Sequence, residues 1–335
     1  MSSAGPVAPT ATAACQLRPL PLGAVRITGG FWAARQLTNR LDLLRTHPAD
    51  HRWLEAAAWE YAREPADDLR REVTAAARRG DPGHLIRAAI ARVRGTGDRE
   101  LLQTAVEVAD RLVAHPRRAV DCHPVLAMAL VELFRQTDNH RYLELAGRVV
   151  DAGDPTVSGY LVAGAVDVAT ERDDRERLDA LADLAPDPAP VGAGVQWAWR
   201  MLLATGEPSY ADTADRLLRD GFARGDPDGM VLLSSLDNYL ATTDADGVQL
   251  HLYADAEVTA RLRDGPIRLT VQADDARIRV RVAEAPRREW TLSMRVPAAA
   301  LLTVCGEPPQ PTCPGTYAEV VRTWSPGDVV DLVLR

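Results

Sequence analysis

Hydrophobic and polar positions follow two different periods along the chain, and the switch comes near Gly229. Before it, apolar residues recur at i, i+3 and i+4, the spacing of amphipathic helices. A short alternating strand at Val25-Arg26-Ile27, ended by Gly29-Gly30, leads into a helix over 31–44 that opens with Phe31-Trp32, Trp32 reading as a core plug. Trp53-Leu54-Glu55-Ala56-Ala57-Ala58-Trp59 begins a second helix that Pro65 breaks, and 69–79 reads as a charged third. Gly80-Asp81-Pro82-Gly83 then turns the chain and delivers His84 to the next helix start. From there a unit repeats. His84 and His123 each stand at the start of an apolar helix, and each helix ends in a similar turn, Thr96-Gly97-Asp98 or Thr137-Asp138-Asn139. The turn returns at Arg172-Asp173-Asp174 and Thr205-Gly206-Glu207. A spacing of roughly thirty to forty residues suits helix pairs stacked around a ring or along a solenoid. Further helices are expected over 159–170, 175–184, 196–203 and 210–219, with a helix-free loop at 186–194.

Beyond Gly229 the period becomes two, over 248–253, 258–262, 267–272, 278–282, 291–296 and 317–322. Turn residues such as Asp244-Ala245-Asp246-Gly247 and Ser325-Pro326-Gly327-Asp328 separate several of these stretches, a pattern that predicts an antiparallel sandwich. The fold expected is therefore an α+β multidomain chain. It comprises a flexible tail at 1–20, a strand within 21–30 that joins the β-domain, an (α/α)-barrel helical domain at 31–228 and a β-sandwich at 229–335.

Composition narrows the function classes. The 335 residues carry a net charge of −8, which argues against a nucleic-acid partner, and no apolar run reaches transmembrane length. The first twenty residues lack the basic start and apolar stretch of a secretory signal, so the cytoplasm is the default expectation. Cys15, Cys122, Cys305 and Cys313 form no C-x-x-C pair, which argues against a zinc ribbon. Cys305 and Cys313 could meet across a β-loop, although free thiols are expected in a reducing compartment. All 39 basic residues are arginine. Without lysine, Schiff-base chemistry, pyridoxal phosphate attachment and the P-loop are excluded together.

The residues resemble the β-L-arabinofuranosidase type of glycoside hydrolase. The likeness rests on 25–40 around Gly30-Phe31-Trp32, Trp53-Leu54-Glu55-Ala56, Gly83-His84-Leu85-Ile86, His123-Pro124 and Trp199-Arg200-Met201-Leu202-Leu203 with its Thr205-Gly206-Glu207 turn. It continues through His251-Leu252-Tyr253, 292–297 and Gly315-Thr316-Tyr317 to Trp324-Ser325-Pro326-Gly327-Asp328. It implies an (α/α)-barrel with appended β-sandwich structure that extends further than Arg335, and a zinc-bound cysteine nucleophile. The ligand segments of that family, E-T-C and C-C-P-P-N, fall here on Gly192-Ala193-Gly194-Val195 and Gly229-Met230-Val231-Leu232-Leu233-Ser234, which contain neither Cys nor Glu. The family's acidic loop and a long insertion before His84 are also missing. A shortened, divergent member without the zinc–cysteine centre is expected, with no metal and no cofactor.

What the resemblance leaves is the sugar side of the pocket. His84 and His123 match family histidines that line it, and a third family histidine falls at or near Asp154. Asp121, Cys122, His123, His84 and Asp154 are expected to converge on one mouth. His84, His123, Asp154 and Asp121 are the catalytic candidates, since histidine titrates near neutrality and carboxylates orient it or act as bases. Their plainer readings are a helix-start histidine satisfied by carbonyls and, for Asp154, a turn before Pro155. Glu55, Cys122, Trp197 and Tyr253 are the substrate-binding candidates. An inward Glu55 would have a raised pKa and suit acid catalysis, and Cys122 is read either as a thiolate beside His123 or as a small buried residue. Trp197 and Tyr253 are read as pocket walls or core. The leading expectation is a metal-free acid/base enzyme performing cyclisation, elimination or isomerisation on a small secondary-metabolite-like ligand. The alternatives are a two-carboxylate glycosidase and a non-catalytic glycan- or partner-binding pseudoenzyme. A small-molecule substrate is the expected partner, and an exposed sheet edge would allow homodimerisation.

Overall fold

A computed structural model describes residues 5–45, 51–64, 67–77, 81–154, 158–184, 191–224 and 229–335. The helices are α1 (Gly30–Arg45), α2 (His51–Arg63), α3 (Asp67–Ala77), α4 (Pro82–Thr96), α5 (Glu100–Ala114), α6 (Pro116–Val120), α7 (Leu126–Thr137), α8 (His140–Ala152), α9 (Gly159–Arg172), α10 (Arg175–Ala182), α11 (Val191–Thr205), α12 (Pro208–Arg224) and α13 (Gly229–Ser234). Inner helices α2, α4, α7, α9, α11 and α13 pack each on the next, and α13 returns to α2, which closes a ring. An outer helix backs each inner one: α3 on α2, α5 on α4, α8 on α7, α10 on α9, α12 on α11 and α1 on α13. The inner helices are buried almost all round, whereas α5 and α8 bury one stripe. The expected (α/α)-barrel is present.

The repeated turns have one physical cause. Gly97, Asp138, Asp173 and Gly206 sit at φ +76°, +57°, +52° and +74°, the left-handed residue that ends a helix. Glycine takes that conformation without strain, and aspartate is among the few other residues that tolerate it. That is why Thr-Gly-Asp and Thr-Asp-Asn segments mark equivalent places.

The β-domain contains β1 (Arg18–Pro19), β2 (Val25–Gly29), β3 (Ala241–Thr243), β4 (Gly247–Leu250), β5 (Asp255–Leu262), β6 (Gly265–Ala273), β7 (Arg277–Glu284), β8 (Glu289–Arg295), β9 (Ala300–Val304), β10 (Gln310–Thr312), β11 (Tyr317–Thr323) and β12 (Val329–Leu334). They form a five-stranded sheet, β1-β3-β4-β8-β11, and a seven-stranded sheet, β10-β9-β12-β7-β6-β5-β2. All neighbours are antiparallel except β4 and β8. β2 pairs with β5, so the N-terminal strand does join the sandwich. Arg295 binds the ring to the sandwich: its guanidinium reaches Asp212 and, at 2.9 Å, Asp215 on α12.

Several boundaries differ from expectation. Residues 5–20, expected to belong to a flexible tail, are held in place; residues 1–4 lie outside the described residues. Residues 5–20 run across the C-terminal ends of the inner helices, burying Val7, Ala13, Leu17 and Leu20. Arg94 donates to the Gly5 carbonyl, Thr10 donates to Glu171 at 2.6 Å, and the amides of Ala14 and Leu17 donate to the carbonyls of Thr170 and Leu203. The ring runs through Ser234, because α13 is its sixth inner helix. Helix α11 begins at Val191, so Gly192-Ala193-Gly194 is a buried helical turn rather than loop. Cys305 and Cys313 do not face each other. The β9–β10 register puts Thr312 opposite Ala300, so Cys313 lies at the open end of the hairpin and Cys305 beside its turn. Both are exposed free thiols.

Candidate functional site

The mouth of the ring lies at the N-terminal ends of the inner helices, opposite the face crossed by residues 5–20. Asp81 caps α4, its carboxylate accepting from the amide of Gly83 at 2.9 Å and of His84 at 3.4 Å, and Pro82 occupies the first turn. Gly83 is fixed by the neighbouring helix: a Cβ there would stand 2.5 Å from Val125 Cγ1 and 2.9 Å from the Leu126 nitrogen. Only with hydrogen at that position can the starts of α4 and α7 approach this closely. The approach brings the His84 and His123 rings to 5.2 Å between centroids, and Tyr160, at the start of α9, stands 5.8 Å from His123. His84 is buried, whereas His123 and Tyr160 are half-buried.

Beneath the histidines lies a buried ion pair. Glu55 points inward from α2 and accepts from Arg87 Nε at 2.6 Å, with His84 Nδ1 3.2 Å from its other oxygen. Burial pushes the Glu55 carboxyl up, but the Arg87 guanidinium and the His84 hydrogen bond outweigh it and hold the pKa at about 2. The inward orientation fits the sequence reading, whereas the raised pKa and the general-acid role do not: Glu55 is a carboxylate at neutral pH. His123 Nδ1 accepts from the Val125 amide at 3.2 Å.

The remaining candidates separate. Cys122 is half-buried beside His123, and its thiol donates to the Arg118 carbonyl. Burial, then the nearby Asp81 and Asp121 carboxylates, push its pKa up, so it is a protonated thiol and not a nucleophile. Asp121 is exposed at the end of α6, and Asp154 is exposed in the link from α8 to α9. Trp197 is buried on α11 and meets Tyr210 of α12 edge-on at 5.4 Å. Tyr253 lies in the cleft between ring and sandwich with Trp32 and Arg295, where its hydroxyl donates to the Arg295 carbonyl at 2.5 Å. Sequence reasoning missed Arg87 and Tyr160. Tyr160 stands at the helix start of the next unit after His123, so the repeat itself marked it; Arg87 is the next residue on the His84 face of α4.

The donors present do not fit a cysteine-held zinc. Soft-metal sites need several thiolates or imidazoles around one ion. Cys15 lies on the N-terminal segment at the opposite face, Cys305 and Cys313 are on the sandwich, and Cys122 alone is near the mouth. Among the described residues no three His, Cys, Asp or Glu side chains converge as a metal site. The first turns of α11 and α13 present buried Val191, Val195, Val231 and Leu232 instead. Among the described residues no helix is long and apolar enough to cross a membrane.

Comparison with known proteins agrees with this architecture. Residues 82–182 match the family model of the β-L-arabinofuranosidase GH127 catalytic domain, and residues 247–335 match that of the GH127 middle domain. A solved glycoside hydrolase superposes with a TM-score of 0.86 at 22% identity, over 99% of this chain and 80% of that one. A GH127 β-arabinofuranosidase gives 0.79 at 16% identity, over 96% and 81%. Ara127N-Se, a GH127 β-L-arabinofuranosidase from Geobacillus stearothermophilus T6, gives 0.75 at 16% identity, over 93% and 81%. No curated protein matches the chain by sequence. With both family models in chain order and the ring and sandwich of the solved relatives, the chain belongs to the β-L-arabinofuranosidase-type GH127 family of glycoside hydrolases.

Proposed function

We propose that this chain is a divergent β-L-arabinofuranosidase-like glycosidase. It takes a small pentofuranoside at the ring mouth and works with carboxylates in place of a cysteine–zinc centre. The observation that carries the reading is the His84–His123–Tyr160 cluster, set over an ionised Glu55 at the mouth of a GH127-type ring. In this reading His84 and His123 bind sugar hydroxyls and Tyr160 borders the ring. Asp121 and Asp154 are the two carboxylates this reading assigns to the reaction. One, as the acid, protonates the leaving oxygen while the other, as carboxylate, draws a proton from water, so that water adds across the broken glycosidic bond. Glu55 takes neither role, because Arg87 keeps it ionised.

Cyclisation, elimination or isomerisation loses its support. The family relations are to glycoside hydrolases, the buried acid is a fixed carboxylate and the thiol is protonated. One observation favours a second reading, a module that binds without turnover: the first turns of α11 and α13 hold buried apolar residues and supply no catalytic side chain.

The test is release of p-nitrophenol from p-nitrophenyl β-L-arabinofuranoside. Turnover should fall by about 10²- to 10⁴-fold in Asp121→Asn or Asp154→Asn, the usual worth of a general acid or base. Binding of the glycoside with no release, by wild-type protein at high concentration, would move the chain to the second reading.

A further inference from the structure

We propose that β11 is a homodimer interface. A second copy of this chain adds its own β11, antiparallel, to the edge of the five-stranded sheet, about a two-fold axis at Val321.

The two sheets end in four edge strands, β1, β11, β10 and β2, and three of them resist pairing. β1 is two residues long and ends in Pro19, and β10 is three residues long with Pro311 in the middle. β2 carries a register shift between Ile27 and Gly29. Proline lacks the donor a ladder needs, and short or bulged edges do not template a further strand. β11 has none of these protections. Its seven residues, Tyr317–Thr323, run in unbroken register along β8, and among the described residues no strand pairs with it on the other side.

The ladder fixes which backbone groups that edge presents. The Val296 amide donates to the Thr316 carbonyl at 2.9 Å, so Thr316 faces β8. Hydrogen-bonded and non-hydrogen-bonded pairs alternate in an antiparallel ladder. The backbone groups of Ala318, Val320 and Arg322 therefore turn to β8, and those of Glu319, Val321 and Thr323 turn outward. Val321 stands at the centre of the outward set with 56% of its surface exposed.

Charge and side-chain fit select the register. A two-fold axis through Glu319 or Arg322 opposes like charges, and one through Val320 sets Glu319 against the partner's Val321. The axis through Val321 sets it against the partner's Val321 and places Glu319 opposite the partner's Thr323, where a hydroxyl can donate to the carboxylate. Each outward-turned residue then meets an outward-turned residue, which closes about six backbone hydrogen bonds. Arg322 does not stand free on the edge: it pairs with Glu307 at 3.6 Å. The strand is complementary to itself, which is what an isologous interface requires.

The experiment is sedimentation velocity of the full chain over a concentration series, with hydrogen exchange of the β11 amides read on the same samples. The wild type should pass from monomer to dimer as concentration rises. The amides of Glu319, Val321 and Thr323 should slow in step, whereas those of Ala318 and Val320 should be slow throughout. Val321→Lys sets two like charges at the axis and should weaken the dimer about tenfold. Val333→Lys, the same change at an exposed valine of the interior strand β12, should leave the dimer intact. A wild type that stays monomeric at the highest concentration overturns the proposal, as does a dimer that tolerates Val321→Lys or that Val333→Lys weakens equally. Slow exchange at Glu319, Val321 and Thr323 in the monomer also overturns it, because the edge would then be closed from within the chain.

Discussion

At the scale of single residues, the mouth depends on two features of opposite kind: a side chain that must be absent and a charge that must be matched. Gly83 is the first. Replacing it by alanine drives a methyl into Val125 and the Leu126 nitrogen. Overpacking of this sort costs about 1–3 kcal/mol, so Gly83→Ala should lower the urea midpoint and weaken any ligand that contacts both histidines. An unchanged midpoint would show that α7 yields more easily than its packing suggests. Glu55 is the second. Its pKa is lowered to about 2, so its contribution to stability is fully present above the unfolded value of about 4.3 and is lost as pH falls through 2. The difference corresponds to about 3 kcal/mol. Acid titration of unfolding free energy should show this slope between those limits. The Glu55→Met, Arg87→Met variant should lack the Glu55 share of it, leaving that of Glu132, whose pKa is likewise held near 2 against burial by Arg135 and Arg94.

At the scale of elements, residues 5–20 close the face opposite the mouth through a buried ionic lattice. Arg94 pairs with Glu132 at 2.7 Å, Arg135 with Glu132, with Asp167 at 2.9 Å and with Glu171 at 2.6 Å, and Arg200 with Asp167 at 2.5 Å. Three arginines against three carboxylates leave it neutral, and the lattice ties α4, α7, α9 and α11 together. The N-terminal segment supplies further bonds that those groups need: the Gly5 carbonyl for Arg94, the Ala8 amide for Glu132 and Thr10 for Glu171. Hydrogen bonds to buried charges are worth about 1.5–3 kcal/mol each. Thr10→Val should therefore lower stability by about that amount in chemical denaturation, and deletion of residues 1–14 should lower it several-fold more. A deletion variant with the wild-type Tm would show the segment to be a passenger. The expectation of a tail failed because Ala/Pro/Thr composition records no helix or strand, while the segment is held by backbone groups that composition does not describe.

At the scale of the whole molecule, ring and sandwich behave as one body if Arg295 holds them. Its buried guanidinium faces Asp212 and Asp215 across the boundary, and its Nε reaches the His251 carbonyl. Arg295→Met leaves those acceptors unpaired and should cost about 3 kcal/mol. Calorimetry should then resolve two transitions where the wild type shows one, and a single shifted transition would indicate that apolar packing alone couples the parts. The sequence by itself determined the ring and the sheets, because helix and strand period, left-handed turn residues and apolar faces are local properties of the chain. It also determined that His84 and His123 share a helix-start position. What only the tertiary structure decided is the chemistry of that position: whether Glu55 faces Arg87, whether Cys122 keeps its proton, and that Trp197 packs on Tyr210 while Tyr253 donates to the Arg295 carbonyl. Protonation and hydrogen-bond polarity depend on which charges lie within a few ångströms across different helices, and no spacing along one helix records that.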